Sequence, residues 1–349
     1  MKKEKSILLT FDFELFLGER SGSVKKCMIE PTKEVLKCIA KHKVSTIFFV
    51  DTLYLYRLME ISKSNLKAQN DFEAIVKLLQ EVIDLGGYIF HHLHPNWLDA
   101  IYLEEYNEWD VSNKDRFALS NLTKEEVAKV FQYSEEIISL IYTDRNKPEV
   151  SGFRAGGLFA QPFTHYKDQM EQYNILLEMT VLKNSKGEGE NGIRKFDFST
   201  YPDEIIYNFS DDILVKDDKG KFIEIILDQF KLRGISKILN GIYYRKNVNK
   251  SSWKRWGDGK ASGNVVQATT RSNKFLCEET YSIELLNKMK ALFYLNEFKK
   301  ENLLHLISHP KFFSQENIDA LDVFLTKAKS KYTIETDVFS IIHKSKVHL

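Results

Sequence analysis

The stretch that most constrains this chain is LLTFDFELF, residues 8–16. With a period of two, Ile7, Leu9, Phe11, Phe13 and Leu15 fall on one face of a strand. Leu8, Thr10, Asp12, Glu14 and Phe16 fall on the other. The first face is apolar throughout, as where helices cover a sheet. The second carries two carboxylates that point the same way. Burying such a pair costs several kcal/mol per ion unless a cation or a dense set of hydrogen bonds answers it. Two readings follow: the acids hold a metal or move a proton, or the strand ends there and both reach water.

Downstream, strands alternate with helices. Pro31 and Thr32 open a helix with Val35, Leu36 and Ile39 as its stripe. STIFFV (45–50) has the composition of a buried strand, and residues 71–85 form an amphipathic helix stopped by Gly86 and Gly87. YIFHHLHP is a strand running into a proline, and 97–121 an irregular insertion. Thr123 and Glu126 make a capping box for a helix through Tyr142. A short strand before SGFRAGG, a helix near 163–173 and a strand at ILLEMTV continue the alternation. From 183 to 275 the pattern changes to loops and hairpins, with YNFSDDILV and FIEIIL as an antiparallel pair around DDKG and a basic, Gly-rich surface loop at 253–264. A helix at 282–300, the strand LLHLISHP, a helix from Ser314 to Lys329 and a strand near 332–342 complete the chain. This order predicts an α/β fold, a parallel sheet with crossover helices closing as a (β/α) barrel, in one domain over 1–349 with 183–275 inserted in it.

In such barrels chemistry sits at the C-terminal ends of the strands. Asp12, His92, Arg154 and His309 all stand at or just after predicted strand ends. His92 and His94 share a strand face, and two imidazoles with a carboxylate are ordinary ligands for zinc or a similar divalent ion. His91, on the opposite face, reads as a core residue. Lys and Arg total 50 against 49 Asp and Glu, so no global field steers the chain to nucleic acid or an anionic membrane. Cys27, Cys38 and Cys277 form neither a disulfide framework nor a CxxC pair, as expected in a reducing compartment. Acids interrupt the one signal-like run at the start, and no stretch is apolar enough to span a membrane, so the sequence reads as cytoplasmic.

Five pieces in order, TFDFE (10–14), HHLHPNW (91–97), FRAGG (153–157), LEMTV (177–181) and ISHPK (307–311), resemble the motifs of the polysaccharide deacetylase family. Those proteins are metal-dependent carbohydrate esterases on a distorted barrel of seven or eight (β/α) units. The resemblance implies Asp12 as general base, Arg154 as the arginine that holds it, His309 as general acid and His92 as a metal ligand. It also departs from the family. Phe13 stands where a metal-binding aspartate is usual, so Glu14 would supply that carboxylate. The second histidine falls on Asn96, with His94 as the substitute, and Glu178 stands where an aspartate is expected.

The implied activity is removal of N-acetyl or O-acetyl groups from a sugar or polysaccharide intermediate, soluble or linked to a nucleotide or lipid carrier, with a divalent ion, zinc, as cofactor. Trp97, Trp109, Trp253 and Trp256 are candidates to stack on the sugar, and Lys254 or Arg255 to meet a carrier phosphate. Two alternatives stand beside it. One is a metal-independent glycoside hydrolase using Asp12 with Glu14 or Glu178, and the other a catalytically silent carbohydrate-binding homologue.

Overall fold

Strand β1 (Glu4–Phe13) is longer than any of its neighbours, and the sheet is built around it. In the computed structural model, which describes residues 2–18, 20–113, 115–188, 195–260, 271–272, 276–345 and 347–349, its final seven residues are buried on both faces. Ten residues are enough to pair three strands. β15 runs parallel to Ser6–Phe11, β2 to Thr10–Phe13 and β16 to Glu4–Ser6.

The chain reaches those partners by repeated crossovers. After β1 come α1 (Glu30–His42), β2 (Ile47–Asp51), α2 (Thr52–Ser62), α3 (Leu66–Asp84) and β3 (Tyr88–Leu93). A small hairpin, β4 (Ile101–Leu103) and β5 (Glu108–Asp110), precedes α4 (Lys124–Ile141), β6 (Ser151–Ala155), α5 (Lys167–Gln172) and β7 (Ile175–Glu178). A second hairpin, β8 (Ser185–Glu188) and β9 (Lys195–Phe198), leads to β10 (Ile206–Phe209) and β11 (Phe222–Ile225). Then follow β12 (Gln229–Arg233), α6 (Ile235–Asn247), β13 (Arg271–Ser272) and β14 (Leu276–Thr280), whose three strands form a separate antiparallel sheet. The chain ends with α7 (Lys288–Glu297), β15 (Leu303–Ser308), α8 (Gln315–Lys331), β16 (Thr333–Glu335) and α9 (Val338–Lys344).

The main sheet runs β10-β11-β7-β6-β3-β2-β1-β15, parallel throughout except for the antiparallel β10–β11 pair. It curls into a distorted barrel. Among the described residues no ladder joins β15 to β10, and the gap is spanned by single contacts. Tyr281 N donates to the Asp228 carbonyl (3.4 Å), and Ile307 N of β15 donates to the Tyr281 carbonyl (3.0 Å).

Two expectations change, and a third falls partly outside the described residues. The region 183–275 is not loops and hairpins alone, because β11 pairs with β7 and so continues the main sheet, and α6 is a helix of thirteen residues. The surface loop read at 253–264 lies outside the described residues from 261 onward. The closing segment 332–342 is a three-residue strand followed by α9, because the Asp337 carboxylate accepts a hydrogen bond from Ser340 N (2.8 Å) and caps a helix there. α2 follows directly on β2, capped by the Asp51 carboxylate, which accepts from Tyr54 N (3.4 Å). The α4 capping box stands as read, with Thr123 Oγ1 accepting from Glu126 N and Glu126 accepting from Thr123 N.

Where β7 meets β11, Glu178 and Glu224 are register partners, both without exposed surface. Glu178 accepts from Thr180 N (2.8 Å) and Thr180 Oγ1 (2.5 Å), while Glu224 accepts from Val181 N (3.2 Å). Burial pushes both carboxyls above their ordinary range, and the neighbouring Glu178 drives Glu224 further. The pair therefore keeps a proton that the unfolded chain releases near pH ~4.3. A carboxyl held neutral by folding makes the native state lose stability as pH rises above that value. Glu224→Gln keeps a donor toward Glu178 and has nothing to titrate. Its melting temperature is expected to exceed the parent's by a margin that widens from about pH 5 to about pH 8. Parallel melting curves against pH for the two proteins would show that no proton is held there.

Candidate active site

Arg154 is the side chain that organises the barrel mouth. It comes from β6, next to His92 of β3, and has no exposed surface. Its Nη1 donates to Asp12 Oδ1 (2.5 Å), its Nη2 to Thr10 Oγ1 (3.0 Å) and its Nε to the Met179 carbonyl (2.9 Å). The guanidinium also lies 4.1 Å above the Phe49 ring. A second contact of Nη2, 3.3 Å from His305 Nε2, explains a buried histidine that the sequence reading passed over. Burial, and then Arg154, push His305 down to about 3, so the ring is neutral; Nδ1 donates to the Ile226 carbonyl and Nε2 accepts from Arg154. Burial by itself raises Asp12, but Arg154, then His92 and His309, outweigh it and hold the carboxyl below its ordinary range.

Glu14 stands one residue past β1, opposite the end of β3. The histidine His92 donates from Nδ1 to the Arg154 carbonyl (2.8 Å), which leaves the Nε2 lone pair facing the mouth. Glu14 Oε2 lies 2.7 Å from His94 Nε2 and 3.6 Å from His92 Nε2, and the two Nε2 atoms are 3.1 Å apart. Oε2 is buried with no hydrogen bond of ordinary geometry. Three donors at ~2.0–2.1 Å from one tetrahedral ion would stand about 3.4 Å apart, so this triangle fits a single divalent cation. Nitrogen and carboxylate oxygen are donors that suit zinc. Gly156 of FRAGG keeps the space open, since a Cβ there would come within 2.6 Å of His94 Nδ1 and 2.5 Å of the Leu93 carbonyl. Asn96 follows in a short 3-10 turn, buried, with its Oδ1 unpartnered.

His309 follows β15. Its Nε2 lies 3.6 Å from Asp12 Oδ2 and 3.7 Å from Glu14 Oε1. On the other side of the ring, Nδ1 is 3.0 Å from Glu284 Oε2, which also accepts the His309 backbone N–H (2.6 Å). Burial would lower this histidine, but Glu284, then Asp12 and Glu14, raise it to about 9. Two residues on, the buried Lys311 donates to Glu14 Oε1 (2.9 Å) and to the Leu15 carbonyl (2.7 Å). It thereby occupies one carboxylate oxygen and leaves the other to the triangle. Neither Glu284 nor Lys311 was singled out from the sequence. Lys311 carried a signal, being inside ISHPK, whereas Glu284 sits in irregular chain between β14 and α7 and carried none.

The aromatic expectations fare unevenly. Trp97 is corrected: it is fully buried, donates from Nε1 to Asp51 Oδ2 (2.5 Å) and packs on Tyr54, so no sugar can reach it. Trp109 is buried beside it. Trp253 leans on Tyr243 and Tyr244 of α6. Trp256 is half-buried, its backbone N–H donating to the Phe313 carbonyl (2.9 Å). His91 is a core residue, bonded through Nδ1 to Ser134 Oγ (2.8 Å). Glu178 is sealed off, as described above.

Two outcomes follow from these contacts. Arg154→Met leaves Asp12 buried and unanswered and is expected to lower stability by about 3–5 kcal/mol in denaturant titrations, with part of the loss recovered in Asp12→Asn/Arg154→Met. No recovery would mean that the loss is one of packing. Lys311→Met is expected to weaken zinc binding about 10–100-fold by calorimetry, because Glu14 loses its anchor while the three donors remain.

No family model matches the sequence, and no curated protein sequence does. Among solved structures, a candidate polysaccharide deacetylase from Mycobacterium smegmatis superposes with a TM-score of 0.50 at 11% identity, over 99% of this chain and 90% of that one. A 4-alpha-glucanotransferase from Thermococcus litoralis gives 0.47 at 10% identity, over 98% of this chain and 39% of that one. A family 4 carbohydrate esterase from Streptomyces lividans, solved in complex with acetate, gives 0.38 at 11%, over 96% and 92%. Likeness at such identities is likeness of fold, and the fold this chain has is that of the polysaccharide deacetylases.

Proposed function

We propose that this chain is a metal-dependent hydrolase that removes acetyl groups, N-linked before O-linked, from a sugar or polysaccharide intermediate. The observation that carries the reading is the approach of Asp12 Oδ2 and His309 Nε2 to 3.6 Å at the edge of the Glu14–His92–His94 triangle. A divalent ion held by those three side chains supplies Lewis acidity toward the acyl oxygen and lowers the pKa of water.

The protein's own groups divide the proton transfers. Asp12 has Oδ1 tied to Arg154, so Oδ2 is the atom free to take a proton from the attacking water. Arg154 keeps that carboxylate ionised and fixes its plane. His309 is oriented through Nδ1 by Glu284 and presents Nε2–H to the leaving group. An amide nitrogen leaves only when protonated, which is the step a charged His309 serves; an ester asks less of it. Its side chain is a quarter exposed, so a substrate can reach it.

A metal-independent glycosidase loses one of its candidates, because Glu178 has no exposed surface and both of its oxygens accept from Thr180. The substrate of the proposal is a carbohydrate, free or joined to a carrier. No described helix is long and apolar enough to cross a membrane.

Acetate release from N-acetylated sugars with zinc supplied tests the reading. Asp12→Asn and His309→Ala are each expected to lower kcat by about 10²–10⁴-fold, and chelation to abolish turnover reversibly. Acetate release untouched by chelator and by both substitutions would refute it. Chelator-resistant release of reducing sugar would favour the glycosidase, and tight sugar binding without turnover under any divalent ion the silent homologue.

A further inference from the structure

The near-neutral balance of the whole chain conceals one strongly basic segment. Residues 229–260 hold nine lysines and arginines against a single acid, Asp258, a local balance of +8 in a protein whose total is +1. Within this segment lies α6. One side of that helix meets the body, where Asn240 Oδ1 accepts from Asn287 Nδ2 (3.0 Å) and Tyr243 Oη donates to Glu316 Oε1 (3.0 Å). The side turned away carries Ile235, Ile238, Leu239 and Ile242 at helical spacing, exposed by 74, 58, 43 and 45%. No residue of α6 is buried. Arg233 stands just before the ridge and Arg245 and Lys246 at its end, all exposed and without an ion pair among the described residues.

An aliphatic ridge that the fold leaves uncovered, flanked by cations, fits one kind of partner best. Such a helix lies in the boundary layer of a bilayer, with its apolar side among the acyl chains and its cations against lipid phosphates. A second copy of the chain would bring +8 against +8, and a nucleic acid offers nothing to the four aliphatic side chains. The basic run also continues to the site. After α6 the chain passes along the barrel rim, where the Arg255 guanidinium lies 5.2 Å over the Phe312 ring and that ring is 5.8 Å from His309.

We propose that α6 and the basic segment after it form a docking face for an anionic lipid bilayer, which sets the barrel mouth beside a saccharide carried on a membrane lipid. The docking face stands on the ridge and the charges alone; only the identity of the saccharide rests on the deacetylase reading.

Flotation with vesicles tests it, using phosphatidylcholine alone and an equal mixture with phosphatidylglycerol. The full chain is expected to float with the mixed vesicles and not with the neutral ones. Ile238→Asp/Ile242→Asp and, separately, Arg245→Glu/Lys246→Glu are each expected to reduce the bound fraction at least about tenfold. Both variants change exposed positions only, so their circular dichroism and their turnover of a small soluble substrate are expected to match the parent's. Equal flotation of parent and variants, or none, overturns the proposal. So does a dimer in sedimentation that Ile238→Asp/Ile242→Asp dissolves, or retention on duplex DNA that only the charge reversal abolishes. A chain that floats but releases no acetate leaves the docking face standing and removes the hydrolase, and the reverse result does the opposite.

Discussion

Arg154 enters the barrel with no exposed surface and distributes its donors to Asp12, Thr10, His305 and the Met179 carbonyl. An unpaired guanidinium at that depth would be too costly to keep, so the arrangement exists only because each partner is in place. The network joins three strands and one connection: Thr10 and Asp12 from β1, Arg154 itself from β6, His305 from β15, and Met179 just after β7. Folding the sheet in its proper order is therefore the same event as answering this cation. The pair also explains how Asp12 stays ionised in a place where burial alone would protonate it.

Around that pair the site is close to electrically balanced. Asp12, Glu14 and Glu284 are matched by Arg154, Lys311 and His309, each within hydrogen-bond or ion-pair distance of its partner. The matching is specific in its atoms. Arg154 takes one oxygen of Asp12 and Lys311 one oxygen of Glu14, so that in both carboxylates the remaining oxygen faces the mouth. A dication placed at the triangle would make the mouth net positive, which is what a developing negative charge on a substrate oxygen requires. Glu284 does for His309 what Arg154 does for Asp12: it fixes both the orientation and the charge of the group.

Charge is distributed unevenly at a larger scale too. A total of +1 says nothing about the segment 229–260, and the composition of the whole chain hides its local balance of +8. The same segment shows why periodicity must be read together with burial. Ile235, Ile238, Leu239 and Ile242 carry a plain helical spacing, and their helix forms, but without a core to cover it. Helical spacing ordinarily signals a buried stripe, and here it marks a face left in solvent.

From the sequence alone came the alternation of strands and helices, the two acids on one side of β1, and the line of Asp12, His92, Arg154 and His309 at strand ends. These are local matters: strand period, caps and turns act within a few residues. Resemblance to five family motifs then set those residues in a common site. Tertiary structure alone decided the rest. Trp97 looks like a free aromatic next to the histidines, yet its ring is taken into the core by Asp51 and Tyr54. Glu284 falls in the stretch read as the start of a helix at 282, but α7 begins only at Lys288, capped by Asn287, and Glu284 becomes a partner of His309 because the chain after β14 meets the end of β15. Lys311 reaches Glu14 across 297 positions of sequence. Pairings of that kind depend on how the sheet curls and on which atom of each carboxylate is already engaged, and no spacing along the chain encodes either.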